Sequence, residues 1–313
     1  MAFFDRFRVE LGKYDDGVHD VGEPAGEAQL QARTLPPGLG DFYRSWNGAR
    51  LFADTIVIAP IGEAAWLDGG GVRIGEWPEG ALELGGDGRV RSRDEEGAIV
   101  VGSTLEKFLA AVMAREGLLV ERDGEFKDVF DEDDVAPKVR EKQTRAALKA
   151  DPDAAAWHLE AAERAFDDGD DAAAEAALAR AVALDEDAAD AWALFGALQR
   201  RSGRLAAAAA SFARAAAATA PAAAAVRAER AAEAARAAKE AGDEAGRAQH
   251  AEEARAADAG AVARWLDEAR ALAGEGDADG ALNRATLAAA VAPDEAAPVV
   301  RDARLRTKLK TVT

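Results

Sequence analysis

The sequence contains no cysteine and only three histidines. Without cysteine the chain forms no disulfide and offers no thiolate, which excludes thiol catalysis and cysteine-ligated metal sites. His19, His158 and His250 lie far apart in the sequence, and none has a second ligand at metal-binding spacing. We therefore expect neither a metal nor another cofactor. The absence of cysteine fits a reducing compartment, and we expect the protein to be cytoplasmic.

Long apolar runs are also missing. None approaches the ~20 residues that a membrane span needs, so we expect no membrane partner. The opening residues instead predict a short amphipathic helix, and no apolar run typical of a signal peptide follows it. The formal net charge is -19. This acidity argues against a nucleic-acid partner, because a basic face supplies most of the affinity for a phosphate backbone.

Aromatic content and charge both change near Pro137. Of the 19 aromatic residues, 13 precede it, and residues 1–137 carry a net charge of -14 against -5 for residues 138–313. The first part therefore predicts a compact aromatic core, whereas the second is rich in alanine. We expect a domain over 1–137, a linker or entry helix over 138–153, a helical array over 154–295 and a basic capping helix or tail over 296–313.

The segment LPPGLGDFYRSWNGARLF at 35–52 predicts a short helix with one apolar face. Apolar side chains recur there at i, i+3, i+4 and i+7, namely Leu39, Phe42, Tyr43 and Trp46. We expect these side chains to serve mainly in packing. Gly48 can adopt the left-handed conformation that ends a helix, and Asn47 is expected either to end the helix or to order the following loop.

Five strand-like segments follow this helix. They are TIVIAPI at 55–61, VRIGEW at 72–77, ALEL at 81–84, RVRSR at 89–93 and AIVVG at 98–102. The GGDG at 85–88 predicts a hairpin turn between two of them. A second helix is expected after Ser103 or Thr104, with Leu105, Phe108, Leu109 and Val112 facing inward. Together these predict an α+β domain, an antiparallel sheet with flanking helices.

The order of these motifs resembles a known superfamily. Leu35-Pro36, Phe42-Tyr43 and Trp46-Asn47-Gly48 precede a β-meander containing Trp77 and a closing STLEKFL helix. Over residues 25–135 this pattern resembles the SUKH superfamily, which includes fungal cell-wall-synthesis regulators and many bacterial immunity proteins. The resemblance implies a non-enzymatic binding domain, often one that neutralises a toxin, many of which are nucleases. A dedicated immunity protein is commonly this single domain, whereas here a helical array follows.

The second part repeats with a period of 34 residues. Gly169 and Gly203 stand that far apart, and so do Gly242 and Gly276. In an alanine-rich helical pattern this spacing resembles the tetratricopeptide repeat, a helix-turn-helix unit stacked on its neighbours. The resemblance covers four repeats over 154–295. The third is degenerate, because Arg247 replaces an expected alanine and about five extra residues near 222–227 precede it. These features predict an all-α helical-repeat solenoid.

Two sets of charged residues are candidates for protein binding. The first comprises first-helix positions of the repeats: Glu163, Asp167, Arg200, Arg201, Arg236, Lys239 and Arg270. The second comprises acidic residues in and after the predicted hairpin at 82–96: Glu83, Asp87, Asp94, Glu95 and Glu96. The second set favours a basic partner. The carboxylate clamp of chaperone-binding repeat proteins is missing, since Asn283, the one asparagine of the array, falls on a second helix.

The remaining motifs do not predict catalysis. Residues 131–134 and 167–171 are acidic but lack the alternating ligands and distant glutamate of a calcium loop. The glycines at 69–71 lack the Lys-Ser/Thr of a phosphate loop. We therefore expect a non-enzymatic protein-interaction adaptor. An immunity protein that neutralises a basic toxin is the first alternative, and an unrecognised enzyme is the second.

Overall fold

A computed structural model describes residues 3–131 and 134–310, and the chain divides into two compact units. The first unit contains the residues up to Asp94, Ala98–Asp168 and Ala183–Asp185. The second contains Glu95–Gly97, Gly169–Val182 and the residues from Glu186 onward. The main division thus falls after Asp168, later than the expected boundary near Pro137.

The first unit combines short helices with a sheet. Its helices are α1 (Phe3–Leu11), α2 (Glu27–Gln31), α3 (Leu39–Ser45), α4 (Leu105–Glu116), α5 (Pro137–Ala150) and α6 (Ala155–Asp167). Its strands are β1 (His19–Val21), β2 (Ala49–Leu51), β3 (Ile56–Ile58), β4 (Ala65–Trp66), β5 (Val72–Trp77), β6 (Gly80–Leu84), β7 (Val90–Arg93), β8 (Ala98–Gly102), β9 (Phe130–Asp131) and β10 (Asp134–Val135).

The main sheet is antiparallel throughout. Its strands follow the order β1-β2-β3-β5-β6-β7-β8, with β4 paired to β5, while β9 and β10 form a separate pair. The predicted α+β architecture is confirmed, and the GGDG turn joins β6 to β7 through a hydrogen bond from the Gly85 N–H to the Arg89 carbonyl (2.9 Å). The short strands β1, β2 and β4 lie in segments that the sequence pattern left unassigned.

The aromatic face of α3 lies in the core. Leu39, Phe42 and Tyr43 are fully buried, and Trp46 is nearly so. The Asn47 Oδ1 accepts a hydrogen bond from the Ile61 N–H (2.8 Å), so the asparagine orders the following loop. Packing is therefore the observed role of these aromatic residues.

Gly75 permits a close approach between β3 and β5. A Cβ at this position would overlap the Val57 carbonyl oxygen on the neighbouring strand. The pairing of β5 with β6 also shifts register between Arg73 and Gly75, which is the mark of a β-bulge. Only glycine fits here without moving a strand.

The helices α5 and α6 pack onto the sheet domain and account for the later boundary. The buried carboxylate of Asp151, between them, accepts hydrogen bonds from the Ser103 N–H (2.6 Å) and hydroxyl (2.8 Å). The Trp157 ring packs 5.9 Å from the Trp77 ring, centroid to centroid. Most of the segment 138–153, expected to be a linker or an entry helix, is therefore helix α5.

The second unit is helical. Its helices are α7 (Asp171–Leu184), α8 (Ala189–Arg201), α9 (Leu205–Ala218), α10 (Ala224–Glu240), α11 (Glu244–Ala257), α12 (Ala261–Glu275), α13 (Ala278–Val291) and α14 (Pro293–Lys310). The pairs α8–α9, α10–α11 and α12–α13 form helix hairpins. The helical-repeat architecture expected for the second part is confirmed.

The repeat glycines turn the chain between successive helices. Gly169, Gly203, Gly242 and Gly276 all have a left-handed backbone, with φ between 74° and 90°. Aspartate follows three of them and caps the next helix, as the Asp243 Oδ1 does when it accepts from the Gly246 N–H (2.8 Å). The acidic turn at 167–171 is explained in the same way, because the Asp170 Oδ1 accepts from the Ala173 N–H (3.0 Å).

The irregular third repeat has a longer first helix. α10 has 17 residues, whereas α8 has 13. The hairpin that follows packs on α10 mainly through its second helix, α13, and only slightly through α12. The extra residues thus coincide with a change in how successive hairpins stack.

Candidate functional site

The most extensive polar network in the second unit runs along one face of α10. Glu229, Glu233, Arg236 and Glu240 recur at i, i+4, i+7 and i+11 and share this face. They meet Arg200 from α8, Glu268 from α12, and Asn283 and Arg284 from α13. We call these eight residues the α10 network.

Each arginine of the α10 network is held by oxygen atoms. The Arg200 Nη1 lies 2.5 Å from the Glu233 Oε2. Arg236 donates to the Asn283 Oδ1 (2.7 Å), and its Nη1 lies 3.5 Å from the Glu233 Oε1. Burial lowers the pKa of the Arg236 guanidinium from its usual value.

Arg284 extends the α10 network to α12. Its Nη1 lies 2.7 Å from the Glu229 Oε1, and its Nε lies 3.3 Å from the Glu268 Oε2. Because every arginine has a carboxylate partner, the α10 network can fix the orientation of α8, α12 and α13 around α10. Partly buried pairs of this kind serve specificity of packing more than stability.

The predicted first-helix residues do lie on the first helices of the repeats, but in different surroundings. Arg200 and Arg236 belong to the α10 network, Arg201 pairs with Asp171, and Arg270 pairs with Asp267 (2.6 Å). Glu163, Asp167 and Lys239 are exposed. The sequence pattern missed Glu229, Glu233 and Arg284, although their spacing along α10 and α13 carries the signal. A binding role for the seven residues stays a prediction.

The predicted acidic residues of the hairpin also differ from one another in burial and in their ion-pair partners. Glu83 is 7% exposed, and its Oε2 lies 2.7 Å from the Arg93 Nε. The hydrogen bonds from Arg91 to Asp87 (2.8 Å at the shorter) lower the pKa of that carboxyl to about 2. Asp94 is exposed at the end of the hairpin. If these acidic residues bind a partner, the exposed side chains are the ones that it can reach.

The remaining two acidic residues belong to the second unit. Glu95 is exposed, whereas the Glu96 Oε2 lies 3.2 Å from the Arg230 Nη2. Arg230 is buried and also donates to the Thr219 hydroxyl (2.5 Å). Arg230 also pairs with Asp190, so Glu96 and Asp190 share the buried guanidinium, and Glu95 is the more accessible of the two acidic residues.

The first unit holds a second polar cluster around Arg115. Its Nη1 lies 2.6 Å from the Glu160 Oε2, its Nε 3.3 Å from the Glu116 Oε1, and its Nη2 3.7 Å from the Glu79 Oε1. The guanidinium carbon also lies 5.2 Å from the centre of the Trp157 ring. These residues surround or adjoin a pocket of about 300 Å³.

The environment of this pocket shifts two of its carboxyl groups. Desolvation by burial raises the pKa values of Glu79 and Glu116, although the positive charge of Arg115 acts in the opposite direction. Raised carboxyl pKa values occur at catalytic sites and at structural ion-pair clusters alike. Here three carboxylates share one guanidinium, and the negative charge of Glu160 adds to the rise at both groups.

Residues 3–131 and 134–310 contain neither a cluster of metal ligands nor a helix suited to span a membrane. No group of three or more acidic or histidine side chains in that part of the chain is placed to hold a metal ion. None of its helices combines the length and apolar character needed to cross a membrane.

Comparisons with known proteins give limited similarity. No family model matches the chain, and no curated protein matches it. Among solved structures, MamA is 20% identical over 56% of this chain and 93% of its own, with a TM-score of 0.35. PilF from Pseudomonas aeruginosa is 16% identical over 54% of this chain and 81% of its own, with a TM-score of 0.36. At these scores the similarity carries no argument about function.

Proposed function

We propose that the protein is a non-enzymatic adaptor, in which the SUKH-like first unit binds one protein and the helical repeats bind another. The observation that supports this proposal best is the series of helix hairpins that turn at left-handed glycines, with 34 residues between Gly169 and Gly203 and again between Gly242 and Gly276. Such arrays present long helical surfaces to partners and have few catalytic groups.

The polar groups support the same proposal. In the α10 network each arginine faces a glutamate, and in the Arg115 cluster one guanidinium lies beside three carboxylates. A general acid or base needs a free position for the reacting atom. The carboxylates of the α10 network and of the Arg115 cluster are instead engaged by guanidinium groups.

Site-specific crosslinking tests the adaptor proposal. A photoreactive amino acid is placed at Asp94 in the first unit or at Arg270 in the second, both exposed. Lys142, exposed on α5, serves as the control position. We expect the two test positions to capture different proteins in source cells, and each captured protein to co-purify with the other. Capture of one protein by all three positions would contradict the proposal.

A basic partner is the second candidate, as the resemblance to immunity proteins implies. It is supported by the net charge of -14 over residues 1–137 and by the exposure of Asp94 and Glu95. Complementary charge mainly raises the association rate, and salt screens it over about 8 Å at physiological ionic strength. Added salt should therefore slow capture of the partner more than it speeds release.

Paired variants test the basic-partner candidate. Asp94→Ala/Glu95→Ala should slow association with the captured partner, whereas Asp15→Ala/Asp16→Ala, which removes two exposed acidic residues elsewhere, should change the rate less. Equal association rates for the two double variants, or an acidic partner, would remove this candidate and leave the adaptor proposal intact.

A further inference from the structure

An open groove lies beside α14 in the second unit. It has a volume of about 860 Å³ and is lined by residues of α10, α13 and α14. This volume lies within the range of pockets that bind small ligands or a few side chains of a partner. The groove is formed entirely within the second unit.

The lining of the α14 groove is largely apolar. Pro298 and Val300 contribute to it, and Leu305 is 57% exposed, which makes it one of the few large apolar side chains so exposed in the part of the chain that the structure describes. Pro298 also lies inside α14, where it lacks the N–H that would bond to the preceding turn. The groove thus offers apolar surface to a ligand.

The edge of the same groove is positively charged. Lys239, Arg301 and Arg304 line it and are exposed, and among the described residues none of them forms an ion pair or a side-chain hydrogen bond. Asp302 also lines the groove, but its Oδ2 accepts a hydrogen bond from the Arg306 Nε (2.9 Å). The acidic side chain is therefore neutralised, while the three cations are not.

This arrangement differs from that of the α10 network. In the α10 network, Arg200, Arg236 and Arg284 are each held by a glutamate. In a chain of net charge -19, three cations that keep their charge around an apolar groove indicate a ligand with complementary charge.

We propose that the α14 groove binds an acidic, apolar segment of a partner protein. Apolar side chains of that segment would contact Pro298 and Leu305, and its carboxylates would pair with Arg301 and Arg304. A protein segment fits better than a phosphate backbone or an anionic bilayer, because the strongly negative chain repels extended anionic surfaces. The inference rests on the proposed adaptor function and assigns a site and a partner chemistry to the second unit.

Peptide binding to the full chain tests this inference. The probe is a fluorescein-labelled peptide that repeats the sequence Glu-Leu-Asp-Phe. We expect it to bind, and we expect much weaker binding when lysine replaces its acidic residues or serine replaces its apolar ones. Arg301→Glu/Arg304→Glu should weaken binding about tenfold or more, because it exchanges attraction for repulsion. Leu305→Ser should also weaken it by removing an apolar contact.

A matched variant separates the groove from overall charge. Lys138→Glu/Lys142→Glu makes the same change in net charge on α5, in the first unit, at exposed residues. Peptide binding should be unchanged in this variant. Equal weakening by both double variants, or no peptide binding at all, would overturn the inference. Circular dichroism of each variant confirms that α14 and the rest of the chain remain folded.

Two further measurements exclude other occupants. Tighter binding to vesicles that contain phosphatidylserine than to the peptide would overturn the inference in favour of a membrane surface. Sedimentation of the free chain tests a second copy: a dimer that Arg301→Glu/Arg304→Glu dissociates would also overturn it. Crosslinking at Asp94 and Arg270 is independent of the groove, so the adaptor proposal can fail or stand separately.

Discussion

The two units bury side chains of very different size. In the first unit the largest fully buried residues are aromatic or branched, such as Phe42, Tyr43 and Trp46. In the second unit, alanine dominates the buried surface, as at Ala228, Ala232 and Ala235 of α10. A few large side chains therefore stabilise the core of the first unit. In the second unit, helices that pack closely over many small side chains stabilise the core.

The difference predicts opposite sensitivities to mutation. A large side chain that is deleted leaves a cavity whose neighbours relax only partly. Truncation of a buried alanine removes only a methyl group, but the helix beside it leaves no room for a larger side chain. The first unit should thus be most sensitive to truncation and the second to enlargement.

The largest effect is expected from Trp46→Ala in the first unit. The ring packs against Phe4 (5.3 Å between centroids) and Phe7 (5.8 Å), so its removal should lower the free energy of unfolding by about 3–5 kcal/mol. Urea unfolding followed by near-ultraviolet circular dichroism measures the change. Trp66→Ala, at a partly exposed tryptophan, is the control and should cost less. Equal costs would show that the ring at Trp46 is not a principal core contact.

A smaller loss is expected from Ala232→Leu in the second unit. Ala232 is fully buried on α10, so a larger side chain should force neighbouring helices apart and cost about 1–3 kcal/mol. Thermal unfolding at 222 nm measures the effect on the helices. Ala245→Leu, at an exposed position of α11, should be nearly neutral. If both substitutions are neutral, the helix contacts at Ala232 are loose.

Much of the architecture follows from local pattern. The strands β5 to β8 and the helix α4 lie where alternation and capping predict them, and the Thr104 hydroxyl accepts from the Lys107 N–H (3.2 Å). The turn glycines likewise have the backbone that their spacing requires. These features depend on residues close together in the sequence.

Other features depend on contacts between distant residues. The boundary after Asp168 follows from the contacts of Asp151 with Ser103 and of Trp157 with Trp77, which no local pattern encodes. The partners of the predicted site residues have the same origin. Glu83, for example, is charged and lies next to a turn, which predicts exposure, but Arg93 on the adjacent strand allows its burial.

A loss of about 1–2 kcal/mol is expected from Gly203→Ala. The left-handed backbone at this turn (φ 74°) disfavours any residue with a Cβ, although the space beside it is open. Gly274→Ala is the matched control, because Gly274 lies on α12 with open space and no left-handed backbone. It should stabilise the helix by up to about 1 kcal/mol. The two unfolding midpoints should therefore move in opposite directions, and a shift in the same direction would contradict this account.

A difference in pH dependence is expected from His19, whose ring is only partly buried. Its Nδ1 accepts a hydrogen bond from the Phe52 N–H (3.1 Å), and burial lowers the pKa of the imidazole to about 4. The unfolded chain binds this proton near the ordinary pKa of about 6.5. The free energy of unfolding should therefore fall as the pH is lowered from about 6.5 towards 4.

His19→Asn isolates this contribution. The asparagine Oδ1 can replace the Nδ1 as acceptor but does not titrate in this range. Urea unfolding between about pH 4 and pH 7 should show a shallower decrease for the variant than for the native chain. Parallel curves would mean that His19 titrates alike in the folded and unfolded states.

The change in stacking at α10 limits how the array can grow. Where successive hairpins stack with the same packing contacts, a 34-residue unit can be duplicated, because the copy presents the same packing surfaces to its neighbours. After α10 the next hairpin presents α13 instead of α12, and Asn283 and Arg284 fit the charges of this one helix. A duplicated unit inserted there would meet a surface made for a different neighbour. The junction therefore disfavours the insertion of a further unit between the α10–α11 and the α12–α13 hairpins.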